Sequence, residues 1–226
     1  KAWIDLQIKK LDRSRHEGFV LKDFSLFIAT VINTFKDCTV ADIGGGTGLI
    51  FFEISSTLTR QVRWQVIDSN DKLFEVGKKY GAGLDIAFEK EIKDKADIVF
   101  INTSVQYIFD WKDMFEEATD MKPQYIVLTR LLSGDMPTFV TKQNIHGYTT
   151  PCQFVNKHEL IEFLSTKKYK LIHWSKGHEN IKSHYAQDFP EGYKIENTIN
   201  AIFQASSEFN SCMKQIFVCV LSSCLV

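Results

Sequence analysis

Paired cysteines, strong charge of either sign and long apolar runs are all missing from this 226-residue chain. The five cysteines, Cys38, Cys152, Cys212, Cys219 and Cys224, are odd in number and form no C-x-x-C. That argues against a disulfide framework and against a zinc site. His173, His178 and His184 lack the usual metal-ligand spacing, so no metal is expected. Thiols left reduced suit a cytoplasmic protein. The formal net charge is −1, so the chain carries no electrostatic footprint for nucleic acid. The longest late apolar run, Ile216 to Val220, is far too short for a transmembrane segment. No signal-peptide pattern is evident, and the chain opens on Lys1 rather than Met, which reads as processing or trimming. Repeats and low-complexity tracts are absent as well.

Apolar residues make up 44% and charged residues 24%, with eighteen Phe. This is the composition of one globular domain with an aromatic core. Apolar positions Val20, Phe24, Phe27, Val31 and Phe35 recur at helical spacing, and Ala2 to Leu11 reads as another short helix. The pattern then alternates. Strands are expected at about Thr39–Ile43, Val62–Ile67, Asp85–Phe88, Asp97–Ile101, Tyr125–Thr129 and Tyr169–Trp174. Helices are expected at about Leu49–Leu58, through Leu73 and Tyr80, at Trp111–Ala118 and at Asn156–Ser165. Such alternation predicts an α/β fold, a mostly parallel sheet with helices on both faces. Thr198–Gln204 reads as a closing antiparallel strand. Leu131 to Gln153, with Gly134, Pro137, Gly147 and Pro151, reads as a long polar loop, which in a compact domain is often functional.

The most specific feature is Val40 to Gly48, a strand, an acid and then a glycine loop. Asp42, Gly44, Gly46 and Gly48 form D-x-G-x-G-x-G, with Gly45 as an extra glycine and Thr47 inside the loop. Glycine permits positive φ and close approach of the backbone to a ligand, and loop amides before a helix suit a polar or anionic group. The dinucleotide fingerprint G-x-G-x-x-G fails here. Counted from Gly44 it meets Leu49, and counted from Gly45 it meets Thr47. About 20 residues on, the strand Arg63–Ile67 ends in Asp68, followed by Ser69. A carboxylate there can accept both ribose hydroxyls of a nucleoside cofactor, though dinucleotide enzymes place an acid similarly.

The loop resembles motif I of the class I S-adenosylmethionine (SAM) methyltransferases. Further segments extend the likeness: Trp64–Asp68, Asp97–Phe100, Ser104-Val105-Gln106-Tyr107, Tyr125–Arg130 and His158-Glu159-Leu160. Together they resemble a family of methyltransferases found among bacterial surface-polysaccharide (O-antigen and capsule) genes. The resemblance implies a Rossmann-like class I methyltransferase fold, SAM as cofactor, and O-methylation of a sugar or glycan precursor. It implies a small-molecule or glycan-precursor acceptor as partner. It also implies N-terminal helices (1–36) that can act as a lid, and a SAM-binding domain over 37–205. Residues after about Lys176 lie outside the resemblance itself, and 206–226 read as a separate tail. Glu208-Phe209 fits read-through of a cloning junction, so this tail is expected to be non-native and dispensable.

Parallel α/β sheets bind ligands beyond the carboxyl ends of their strands. That gathers the glycine loop, Asp68, Asn102, Thr103, Ser104 and Arg130 around one cleft. Asn102, followed by Thr103, ends a strand where, by the resemblance, methyltransferases often contact the methionine part of SAM or the acceptor, although an Asn making a turn serves as well. Arg130 could pair with an acidic acceptor group or form a surface ion pair. Tyr107 could line the acceptor side or pack in the core. His146, in the polar stretch, is the candidate general base, with Tyr148 behind it. Two other readings stay open: a non-catalytic methyltransferase-like binding module, and a nicotinamide-dependent sugar-modifying enzyme.

Overall fold

A computed structural model describes residues 2–91, 95–145, 147–180 and 189–206. Candidate His146, residues Cys212, Cys219, Cys224 and His184, and nearly all of the 206–226 tail lie outside this set.

Seven strands make the main sheet. They are β1 (Asp37–Ile43), β2 (Gln61–Ile67), β3 (Ile86–Glu89), β4 (Ile98–Asn102), β5 (Tyr125–Leu131), β9 (Tyr169–Asn180) and β10 (Asn197–Ala205). Their spatial order is β3-β2-β1-β4-β5-β10-β9. The first five in that order are parallel, and β10 runs antiparallel to both β5 and β9. The chain winds outward from β1 through β2 to β3, then returns to β4 on the other side of β1. The order therefore reverses between β1 and β4, where doubly wound sheets open a crevice.

Side chains alternate across the sheet, so each strand feeds two cores. On one face Val40, Trp64, Val66, Ile98 and Phe100 pack under the first four helices. Those are α1 (Ala2–Glu17), α2 (Asp23–Ile32), α3 (Leu49–Ile54) and α4 (Asp71–Tyr80). Trp64 is central there, with the rings of Phe51 and Phe100 at 5.8 and 6.0 Å. Tyr80 donates to Asp12, tying α1 to α4. On the other face Ala41, Ile43, Val99, Ile101 and Leu128 meet α5 (Trp111–Asp120) and α6 (Lys157–Thr166). Two caps set helix starts: the Asn70 side chain accepts from the N–H groups of Lys72 and Leu73, and that of Asn156 accepts from Glu159. Asn is a favoured residue at this position because its oxygen satisfies an orphan amide.

The stretch expected to be a long loop is structured. After β6 (Ser133–Gly134), β7 (Phe139–Ile145) and β8 (Tyr148–Asn156) form an antiparallel hairpin with Ile145 opposite Tyr148. Gly147 turns the chain at φ 79°. Phe139 stacks on Phe154 at 4.8 Å, and Met136, Cys152 and Ile195 fill the small core beneath. Pro151 is tolerated because β8 pairs there on one side only, with Lys142, and a strand edge needs no donor.

Candidate functional site

The loop after β1 sits at the crevice where the strand order reverses. Gly44 (φ 72°), Gly46 (φ 60°) and Gly48 (φ 73°) all take left-handed backbone. Gly44 is also a point of close approach, since a Cβ there would lie 2.3 Å from Ser104 Oγ. Ser104 Oγ donates to the Gly44 carbonyl at 3.2 Å, joining the loop to the chain after β4. Gly46 faces open space by contrast, and a Cβ there would meet only Leu73 Cδ1, at 3.5 Å. Thr47 is buried, and Gly48 begins α3.

Asp68 clasps this loop from the end of β2. Its Oδ2 accepts from Gly46 N–H at 3.1 Å, and its Oδ1 accepts from Asn70 N–H at 3.0 Å. Each carboxylate oxygen has two lone pairs, so each can still accept from a ligand hydroxyl. Ser69 is exposed beside it.

Asp42 lies beneath the loop. It is 1% exposed, its Oδ2 accepts from Trp64 Nε1 at 3.1 Å, and a Cβ on Gly45 would lie 2.4 Å from that oxygen. Burial drives its pKa from 3.8 up to about 7; the Trp64 hydrogen bond opposes the rise, and the Asp68 charge adds to it. The group therefore acts on the loop's shape from below.

At the next strand end, Asn102 Oδ1 accepts from the hydroxyls of Thr129 (3.0 Å) and Thr103 (3.3 Å). Those contacts orient the amide and leave its NH2 as the remaining donor. Thr103 (φ 64°) and Arg130 (φ 56°) end adjacent strands in left-handed backbone, which is strained for a β-branched residue in particular. Such strain clusters at functional sites. The Arg130 N–H donates to Asn200 Oδ1 at 3.1 Å, and its guanidinium lies 4.9 Å from the centre of the Phe24 ring on α2.

Tyr107, in the turn after β4, donates its hydroxyl to Gln143 Oε1 of the hairpin at 2.9 Å. Its neighbour Gln106 is 4% exposed, and its Oε1 accepts no hydrogen bond among the described residues. The structure thus brings together the glycine loop, Asp68, Asn102, Thr103 and Ser104. It turns Arg130 towards α2 and Tyr107 towards the hairpin. Phe24, Thr129 and Gln143 were not singled out in the sequence as site residues. Phe24 carried only a helix-period signal, and a residue such as Gln143 carries none until the hairpin is seen.

No family model matches this chain, and no curated protein does. Solved structures do. A SAM-dependent methyltransferase from Clostridium acetobutylicum is 11% identical with a TM-score of 0.58, covering 92% of this chain and 100% of its own. A complex of the Haloferax volcanii Trm112 methyltransferase activator with a methyltransferase gives 14% identity and a TM-score of 0.58, covering 92% and 97%. The glycopeptide N-methyltransferase MtfA with bound S-adenosylhomocysteine gives 8% and 0.52, covering 80% and 86%. At such identities what is shared is the fold, the Rossmann-like fold of the class I methyltransferases. None of the described helices is long and apolar enough to cross a membrane.

Proposed function

We propose that this chain is a SAM-dependent methyltransferase acting on a hydroxyl of a sugar or surface-glycan precursor. The observation that carries the cofactor reading is the clasp of Gly46 by Asp68 at the point where the strand order reverses. The residues fit the cofactor: the outer side of Gly46 is open, and both Asp68 oxygens keep acceptor capacity towards ribose hydroxyls. The Gly44–Gly48 backbone holds the nucleoside against the sheet edge, with Ser69 beside Asp68. Asn102 and Thr103 offer an amide and a hydroxyl to the methionine part. Asp42, Gly45 and Thr47 hold the loop from beneath.

When bound, SAM supplies an electrophilic methyl group on a sulfonium. The chain's task is alignment, which holds acceptor and methyl carbon near contact and shields them from water. Tyr107, in the turn after β4, and Arg130, near the end of β5, frame the acceptor side. His146 is the general base of this reading, able to take the hydroxyl proton. The sugar acceptor is supported by the sequence resemblance. The buried free thiols Cys38 and Cys152 fit a reducing compartment such as the cytoplasm.

Calorimetric titration with S-adenosylhomocysteine, with NAD as control, tests the cofactor. Binding of the first alone, lost in both Asp68→Ala and Gly46→Arg, is expected. Binding of NAD instead would return the nicotinamide reading. Methylated product from a nitrogen acceptor, and none from sugar-nucleotide pools, would displace the hydroxyl.

A further inference from the structure

Beyond the end of β5, the C-terminal edge of the sheet carries a second concavity. It is a cleft of about 460 Å³ between β6, the start of α6, β9 and the segment leading into β10. None of Gly44–Gly48, Asp68, Asn102 or Thr103 lines it. Ser133, in its wall, is 1% exposed, and its hydroxyl has no hydrogen-bond partner among the described residues. A buried hydroxyl without a partner is costly, and such groups are rare. A ligand hydroxyl would satisfy it as donor or acceptor.

The cleft also presents an aromatic surface. Trp174 lines it half-buried, with Lys157 Nζ 5.1 Å from the ring centre. Around it stand two exposed ion pairs, Lys176–Glu196 at 3.8 Å and Lys194–Glu191 at 2.9 Å, and a contact of His158 Nε2 with Asp135 at 3.1 Å. Exposed pairs of this kind are weak, so ligand hydroxyls can insert between partners at little cost. The lining holds three lysines (157, 176, 194) and three acids (135, 191, 196), which balance in charge. A polyanion finds no excess of cations here. A neutral molecule rich in hydroxyls finds carboxylates to accept, ammonium groups to donate, and a ring for its C–H face.

We propose that this cleft is a saccharide-binding subsite that holds the non-reacting part of a sugar acceptor. It rests on the reading above only for the ligand being the acceptor. Placement agrees with that role. Ser133 follows Thr129, whose hydroxyl reaches Asn102, by four residues, no more than about 13 Å of extended chain. One oligosaccharide can therefore touch both sites. Binding remote from the reacting hydroxyl contributes alignment.

The test is saturation-transfer NMR on the full chain with four neutral probes: the methyl α-glycosides of glucose, galactose, mannose and rhamnose. The expected result is transfer to the ring protons of at least one of them. Binding should weaken about tenfold in Trp174→Ala through loss of an aromatic contact, and weaken also in Ser133→Ala. Both variants should keep the wild-type urea unfolding transition, which reports that they are folded independently of cofactor binding. Gly46→Arg should keep the sugar signal. No transfer to any probe, transfer indifferent to both substitutions, or displacement of the sugar by inorganic phosphate would each overturn the subsite. Failure of the methyltransferase reading shows separately, as absent S-adenosylhomocysteine binding.

Discussion

Replacing Asp42 by Asn should make the protein more stable at neutral pH, and the gain should vanish in acid. The carboxyl is 1% exposed and holds its proton up to about pH 7, against an ordinary value of 3.8. Below pH 3.8 the acid is protonated both folded and unfolded, so it adds nothing to the pH dependence. Between there and about 7 the folded chain retains a proton that the unfolded chain releases. Stability contributed by that proton is fully present at low pH, falls as pH rises, and is gone above the folded pKa. The rise from 3.8 to about 7 corresponds to about 4 kcal/mol. The amide introduced by D42N never ionises, and its oxygen can still accept from Trp64 Nε1. Urea unfolding of both proteins from pH 4 to 8 measures the difference. The two should nearly coincide at pH 4, and D42N should lead by up to about 4 kcal/mol at pH 8. Taking the difference cancels the titration of His173, whose pKa burial lowers. A gap that stays flat with pH, or a D42N protein less stable at pH 8, would show that the buried Asp42 carboxyl does not retain its proton in the folded chain.

Asp68→Ala removes the acceptor for the Gly46 and Asn70 amides, and should abolish S-adenosylhomocysteine binding by calorimetry while costing about 1–3 kcal/mol of stability. Gly44→Ala should cost more than about 1 kcal/mol in urea unfolding, because φ is 72° and the new Cβ falls on Ser104; unchanged stability would mean that the loop and the β4 end are not held together. Tyr107→Phe loses one hydrogen bond to Gln143, worth about 1 kcal/mol. It should speed amide exchange over residues 139–156, and unaltered exchange there would show that the contact does not fasten the hairpin. Thr103→Gly relieves a left-handed β-branched residue but removes its hydrogen bond to Asn102, so gain and loss should offset to within about 1 kcal/mol in urea unfolding; a loss well beyond that would show that the left-handed backbone carries no strain to relieve.

The parallel half of the sheet was legible because its signals are local. Ile98 to Ile101 is apolar on both faces, as a strand covered by helices on each side must be, and the glycines after Ile43 announce the turn by themselves. The β7–β8 hairpin was missed for a physical reason. Its inner face mixes Phe139 and Phe154 with Thr141 and Gln143, so the period-two signal is faint. Pro137 and Pro151 read as breakers, and only the one-sided pairing of β8 makes Pro151 acceptable.

The same division runs through the candidate site. Its cofactor half rests on one loop and one strand end, each visible as a short string of residues. The contacts that join these pieces cross strands: Ser104 to Gly44 spans 60 positions, and Thr129 to Asn102 spans 27. Nothing in either short segment announces its partner, and both follow only from the register of β1, β4 and β5. The proposed acceptor side is more dispersed still. Tyr107 is fixed by a hairpin residue, Arg130 lies over a ring from α2, and the second cleft draws on α6, β9 and the start of β10. A nucleoside common to many enzymes can be held by a compact, recurring loop. An acceptor peculiar to one enzyme is gripped by whatever the variable connections bring over the sheet edge. That is why the residues proposed to bear on substrate choice emerge only when those connections are placed.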